Sequence, residues 1–221
     1  MEHAATDPHD DPASHWEARY AGSEPIWSGR VNATTAAVAA SLPPGRAIDL
    51  GCGEGGDALW LAEQGWRVTA VDISPTAIAR GAALAASSPV GDRISWVAAD
   101  LADWIERAAV GSVDLVTASF LHSTVELPRT RILRGAASLI APGGHLLVVS
   151  HGAAPPWHQP EAHEHAAQRP VLLSPEEELV ELALPISEWT TELAESRMRQ
   201  ATGPDGQAAE LEDGVVLLRR R

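Results

Sequence analysis

The stretch Ala47–Ser74, AIDLGCGEGGDALWLAEQGWRVTAVDIS, places Gly51, Gly53, Gly55 and Gly56 within six residues and ends its second apolar run on a carboxylate, Asp72. Residues 47–50 have the length and apolar content of a short buried strand. Residues 55–64 read as a helix ended by Gly65, and RVTAVDI (67–73) reads as a second strand. Glycine-rich backbone between a strand and a helix lets the main chain approach a ligand closely. In an open α/β sheet, ligands bind at the carboxyl ends of the strands. Asp72 stands at such an end, 21 residues after Gly51. A carboxylate there can accept from both hydroxyls of a ribose. The stretch therefore reads as a nucleoside-cofactor site.

The alternation continues downstream. Pro75 to about Ala86 reads as a helix with Ser74 as N-cap and proline in its first turn. Residues 93–100 form a third strand, 102–108 a short helix, 112–120 a fourth strand, 128–140 a helix ended by APGG, and 145–151 a fifth strand. Strands alternating with helices predict parallel crossovers and a sheet covered on both faces. Then the rhythm breaks. Residues 152–170 are rich in His, Pro and Ala and read as an inserted loop, and SPEEELVELAL (174–184) is a capped helix. EWTTELAESRMR and ELEDGVVLLRR flank TGPDGQ, whose Asp205-Gly206 pair predicts an antiparallel hairpin.

Upstream, residues 1–13 hold acids, two prolines and no apolar periodicity, and are expected to be disordered. A helix is predicted from Ser14, capped by Ser14 with Glu17 three residues on, which sets Trp16 and Tyr20 on one face. Residues 31–41 form a second helix, stopped by Pro43, Pro44 and Gly45. The expected organisation is one domain over 14–221.

Composition narrows the partners. The chain has 221 residues, 45% of them apolar and 21% charged, as in an ordinary globular protein. No apolar run is long enough for a membrane span, and the acidic N-terminus lacks the basic and apolar regions of a secretory signal. Cys52 is the only cysteine, which excludes an internal disulfide and suits a cytoplasmic location. A net charge of −14 disfavours nucleic acid and anionic membrane surfaces, leaving neutral or cationic small molecules as the easier partners.

Two cofactor classes compete. Gly51, Gly53 and Gly56 satisfy G-x-G-x-x-G, the dinucleotide fingerprint, whereas Gly51, Gly53 and Gly55 satisfy G-x-G-x-G. Asp49 sits two residues before the first glycine, where its charge repels a pyrophosphate and welcomes a cationic ligand with an amino group. Asp100 ends the third strand, where a carboxylate can accept from an adenine amine. No second substrate domain follows the hairpin. These features weigh against the rival reading of an NAD-dependent oxidoreductase.

At this point the sequence resembles the class I S-adenosylmethionine-dependent methyltransferases. DLGCGEG (49–55) matches their first motif, and Asp72 and Asp100 close strands two and three. Trp16, RY (19–20), IWSG (26–29) and LEDGVVLLRR (211–220) resemble the thiopurine/tellurite-resistance branch of small-molecule methyltransferases. The resemblance implies an α/β Rossmann-like fold. Its sheet would be mostly parallel and seven-stranded, with helices on both faces and a C-terminal antiparallel hairpin. Residues 14–45 would supply lid helices. It implies S-adenosylmethionine as cofactor, with Asp49, Gly51, Cys52 and Gly53 lining its methionine part. Asp72 would hold the ribose, Ile73 and Leu101 would touch the adenine, and Asp100 would accept from its amine. Ser119 would lie near the methionine carboxylate or sulfonium, and Trp27 would act as a lid whose ring face attracts the sulfonium.

The implied function is methyl transfer to a small-molecule acceptor through a sulfur, oxygen or metalloid nucleophile. A non-catalytic adenosyl-cofactor-binding module is the other alternative. His122, in ASFLHS after strand four, is the candidate general base, expected to titrate near pH 6–7, with Tyr20 behind it. Cys52 reads as a small residue fitted beside the cofactor. His151, His158, His163 and His165, with Glu161 and Glu164, are dense enough to suggest a metal, but their spacing matches no metal motif and none is expected. Trp157, in the same loop, is a candidate contact for an apolar acceptor. The Glu176–Glu178 run favours a helix N-terminus and needs no function.

Overall fold

The computed structural model describes residues 11–22, 26, 29–154, 171–203 and 206–221. Its helices are α1 (Pro12–Ala21), α2 (Ala33–Ala39), α3 (Gly56–Glu63), α4 (Pro75–Ala86), α5 (Leu101–Arg107), α6 (Arg129–Ser138) and α7 (Pro175–Leu182). The strands are β1 (Arg46–Leu50), β2 (Arg67–Asp72), β3 (Ile94–Ala98), β4 (Val113–Ser119), β5 (Ile140–His151), β6 (Trp189–Thr202) and β7 (Ala208–Arg220). They form one seven-stranded sheet in the order β3-β2-β1-β4-β5-β7-β6. The first five strands are mutually parallel, while β7 runs antiparallel to β5 and β6 antiparallel to β7. This is the Rossmann-like methyltransferase fold with the antiparallel C-terminal pair that the resemblance implied. Pro204 and Asp205, part of the expected hairpin turn, lie outside the described residues.

Two apolar layers hold the sheet. Along β1 and β4, alternate side chains face opposite ways: Ile48, Leu50, Val116 and Ala118 pack with Ile132, Leu133 and Ala136 of α6. Ala47 and Leu115 pack with Ala58, Leu61 and Ala62 of α3. Burying such side chains stabilises by about 1.5–3 kcal/mol each. α3 buries positions i, i+3 and i+4. α4 buries only small residues, Ala77, Gly81 and Ala85. Trp96 of β3 needs that space: a Cβ on Gly81 would stand 2.5 Å from its ring, and one on Gly55 2.2 Å.

Several boundaries move. α1 starts at Pro12, inside the stretch expected to be disordered, and its cap is Asp11, whose carboxylate accepts from Ser14 N–H at 2.9 Å. A proline at N1 behind an aspartate is a better start than Ser14, because the missing proline N–H is one the helix never uses. The APGG after α6 ends the helix as expected but lies within β5. From Val113 to Leu115 on β4, β5 advances from Ile140 to His145, so the extra residues bulge out around Gly143 at φ 87°. α7 carries a full capping box between Ser174 and Glu177. Among the described residues, no helix is long and apolar enough to cross a membrane.

Candidate functional site

In the strand order, β1 stands between β2 and β4, so the chain's direction of winding reverses at β1 and β4. That reversal lies at the carboxyl edge of the sheet, where open α/β sheets take their ligands. The glycine turn 51–55 runs along it. Gly51 is held at φ 65° by hydrogen bonding of its N–H to Val71 O, and a Cβ there would meet Leu121 Cδ1 at 2.7 Å. Only glycine fits between the turn and the loop after β4.

Three carboxylates surround this turn. Asp49 is buried, and its Oδ1 accepts from Thr117 Oγ1 at 2.9 Å while Oδ2 is sealed from solvent with no partner. Asp72 is buried, with Gly53 N–H on Oδ2 at 2.8 Å and Ser74 N–H on Oδ1 at 2.9 Å. Asp57, in the first turn of α3, accepts Asn32 N–H on Oδ1 at 2.7 Å, and its Oδ2 is also sealed and unpartnered. Burial pushes all three carboxyls above the usual range. Asp49 rises furthest, driven also by Asp57 and Asp72. Hydroxyls oppose the rise at Asp57, where Ser119 and Thr35 stand 2.7 Å from one another. A cluster of buried like charges with two unused oxygens is complementary to a cation that brings its own donors, and repels a pyrophosphate.

Cys52 sits among these groups. Burial first, then Asp49 and Asp72, push its thiol well above the ordinary value, so it is not a thiolate nucleophile at neutral pH. Ile73 is half-buried after β2, and Leu101 is buried at the start of α5. Asp100 is exposed at the end of the β3 segment and caps α5 by accepting Asp103 N–H on Oδ1 at 3.0 Å. Trp27 lies outside the described residues, as do Trp157, Glu161, Glu164, His158, His163 and His165. Among the described residues no group of three or more His, Cys, Asp or Glu could hold a metal.

The loop after β4 carries the other half of the site. Phe120 takes a left-handed backbone, φ 52°, which is unusual for a bulky side chain, and His122 N–H closes a tight turn on Phe120 O at 2.7 Å. His122 and the Phe120 ring both meet His151 at the end of β5. Phe120 stacks on His151 at 4.2 Å between ring centroids, and His151 lies parallel to His122 at 5.7 Å. His122 Nε2 is buried without a partner. Burial, then Arg129 and His151, lower the His122 pKa to about 4, against the expected titration near 6–7. Tyr20 is buried on α1 against Trp16, with ring centroids 6.3 Å apart.

Sequence reasoning missed Asp57, Thr35, Arg129 and Asp213. Asp57 carried the only usable signal, a charge directly behind the glycine turn, and a helix dipole explains such a charge equally well. The others are brought in by topology alone.

A model described as a methyltransferase domain matches residues 47–144. The chain is 34% identical over 117 residues to the ribosomal RNA small subunit methyltransferase C of Alcanivorax borkumensis, covering 51% of this chain and 34% of that protein. It is 37% identical over 110 residues to a ubiquinone biosynthesis O-methyltransferase of Xanthomonas campestris, covering 49% and 44%. The matches thus span a third to under half the length of these curated relatives. A solved structure of the Burkholderia thailandensis 1,6-didemethyltoxoflavin-N1-methyltransferase, with bound 1,6-didemethyltoxoflavin and S-adenosylhomocysteine, aligns over 100% of this chain and 93% of its own. Its TM-score is 0.65 and its identity 22%.

Proposed function

We propose that this chain, which belongs to the class I S-adenosylmethionine-dependent methyltransferase superfamily, catalyses methyl transfer from S-adenosylmethionine to a small-molecule acceptor through a sulfur, oxygen or metalloid nucleophile. The observation that carries this reading is the trio Asp49, Asp57 and Asp72 around the glycine turn, with Asp49 Oδ2 and Asp57 Oδ2 buried and unpartnered. When bound, S-adenosylmethionine supplies an electrophilic methyl group on a sulfonium. The protein's residues then hold and align. Asp49 and Asp57 receive the cationic methionine end, Gly51, Cys52 and Gly53 give it backbone contact, and Ser119 borders it. Asp72 takes the ribose, Ile73 and Leu101 flank the adenine, and Asp100 accepts from its amine. Trp27 is kept as the proposed lid.

The net charge of −14 favours a small acceptor over RNA, although one relative methylates ribosomal RNA by name. The ubiquinone-biosynthesis relative acts on oxygen by name. His122 is uncharged at neutral pH, so it is available as a base, but a weak one. Tyr20 is buried on α1 beside Trp16.

Calorimetry tests the reading. S-adenosylmethionine and S-adenosylhomocysteine should bind at micromolar levels and NAD should give no heat. NAD binding without adenosyl-cofactor binding overturns it in favour of the oxidoreductase. Binding without turnover across a panel of thiols, phenols and amines leaves the non-catalytic module.

A further inference from the structure

Resting on the methyltransferase reading above, we infer that His151, backed by Asp213, is the group that receives the acceptor's proton, and that the acceptor is of the hydroxyl class. β5 and β7 pair antiparallel, and their register sets His151 directly opposite Asp213. Opposed residues share one face of the sheet with Cβ atoms about 4.5–5.5 Å apart. The two side chains make no direct hydrogen bond, and one water between them is enough to complete the pair. Each also has an atom left over. Asp213 is completely buried; its Oδ2 accepts from Thr34 Oγ1 and Arg199 Nε, both at 2.7 Å, while Oδ1 is sealed and unpartnered. His151 Nδ1 is likewise sealed and unpartnered. A buried donor and a buried acceptor left unmade are both costly, and one shared water resolves them together.

Donation from Nδ1 to Asp213 through that water selects the tautomer with the proton on Nδ1 and leaves the Nε2 lone pair as the base. The ring is also fixed in place. Phe120 stacks on one part of it at 4.2 Å and 21°, and His122 lies parallel at 5.7 Å and 18°. Arg199 reaches over Phe120, 5.4 Å from its centroid, while holding Asp213, so one guanidinium ties the stack to the carboxylate. The charges facing His151 are Asp213 of β7 and Arg199 of β6, with His122 and its neighbour Arg129 on the β4 side. Burial lowers the His151 pKa and Asp213 opposes that, whereas the charges acting on His122 among the described residues, Arg129 and His151, both lower its pKa. The carboxylate opposite His151 makes it the better placed of the two to hold a proton.

The proton bookkeeping is simple. The acceptor oxygen forms its bond to the methyl carbon, the carbon–sulfur bond breaks with its electron pair going to sulfur, and the acceptor's proton passes to His151 Nε2. Asp213 stabilises the imidazolium and takes no proton itself. A thiol, largely able to ionise unaided, would not need this pair; a hydroxyl does.

Long-range proton–nitrogen NMR on the full chain tests the assignment without any acceptor. His151 should be in the Nδ1–H tautomer at pH 7 with a downfield Nδ1 proton, and Asp213→Asn should lower its titration midpoint by about one unit. His151→Gln should remove that signal while S-adenosylhomocysteine affinity, read by calorimetry, changes less than about twofold. An Nε2–H tautomer in the wild type overturns the proposal, and that reading stands even if Asp213→Asn does not fold. Loss of S-adenosylhomocysteine binding by the wild type would instead defeat the methyltransferase reading. With a phenol panel, His151→Gln should cost about 10²–10⁴-fold in rate and abolish the rising limb of the pH profile. Full rate with the limb retained defeats the inference.

Discussion

Glu17 of α1 accepts the Ser74 hydroxyl at 2.6 Å, and this contact fastens the N-terminal helix to the first turn of α4, beside Asp72. Thr76 adds its N–H at 3.1 Å and its hydroxyl. From the adjoining residues α1 meets the loop after β4, where Trp16 Nε1 donates to Ser123 Oγ at 3.2 Å and His15 Nε2 lies 3.3 Å from Thr124 Oγ1. The helix thus links the first turn of α4 to the loop after β4. Its anchor is electrostatic: the Glu17 carboxylate sits at a helix N-terminus, and the Ser74 and Thr76 hydroxyls hold its pKa below the usual value.

Glu17→Ala should therefore loosen α1 more than it unfolds the domain. S-adenosylhomocysteine affinity is expected to fall about 5–20-fold, the scale of one charge-assisted hydrogen bond, with Tm lowered by only about 2–4 °C. A depressed carboxylate pKa gives a contribution present above the ordinary value of 4.5 and lost as pH falls through the folded value below it. Affinity should accordingly be flat from pH 8 to 5. Unchanged affinity in the variant would show that α1 is not a lid.

Asp57→Asn separates stability from binding. The wild-type carboxylate is buried near Asp49 and raised in pKa, so it costs the unliganded fold charge repulsion and desolvation. Removing the charge should raise the Tm of the free protein by a few degrees while weakening S-adenosylmethionine about tenfold. Thermal melts with and without cofactor read both effects. A variant that binds as well as the wild type would remove Asp57 from the site.

These residues mark the boundary of what the sequence discloses. Gly51, Asp72, the Ser74 cap and the capping box at Ser174 follow local rules, each operating within a few residues, and stand where those rules place them. The parallel order of the first five strands follows from alternation. The polar groups behind the site obey no local rule. Thr34 meets Asp213 across 179 residues and Arg129 meets Glu178 across 49. Gly214 and Asp213 look like turn formers, yet both lie within β7, because pairing on both sides outweighs glycine's weak strand preference. His151 reads as the last residue of the fifth strand and the first histidine of a loop where no metal is expected; only the β5–β7 register reveals what stands opposite it.

His122 should leave a mark on stability. Its folded pKa of about 4 lies below the ordinary 6.5, so the unfolded chain binds the extra proton first. This contribution is complete above pH 6.5 and is lost as pH falls from 6.5 toward 4. The shift corresponds to at most about 3 kcal/mol. Urea titrations at pH 7.5 and 4.5 should show that loss in the wild type and a loss smaller by about 1–3 kcal/mol in His122→Phe, which cannot titrate. Equal slopes in both proteins would mean that His122 is more solvated than the structure shows.

Arg129 offers the last prediction, because one side chain joins three elements. Its Nη1 contacts both Glu178 oxygens at 2.8 Å, Nη2 donates to Ser150 Oγ at 3.0 Å, and Nε donates to Leu121 O at 3.0 Å. Both partners are largely withdrawn from water, with side-chain exposures of 14% and 4%. A buried pair of this kind gains little against an apolar substitute, but removing one member strands the other. Arg129→Met should thus cost about 3–5 kcal/mol, since Glu178 is left buried without its partner. The double variant Arg129→Met/Glu178→Met should recover most of that loss, and the cycle isolates the coupling. The recovery will not extend to the site. Leu121 O loses its donor in both variants, and Leu121 is the residue that closes over Gly51. S-adenosylhomocysteine affinity should therefore stay reduced in the double variant while its stability returns. If both return together, Arg129 serves the fold alone and the loop after β4 holds its own shape.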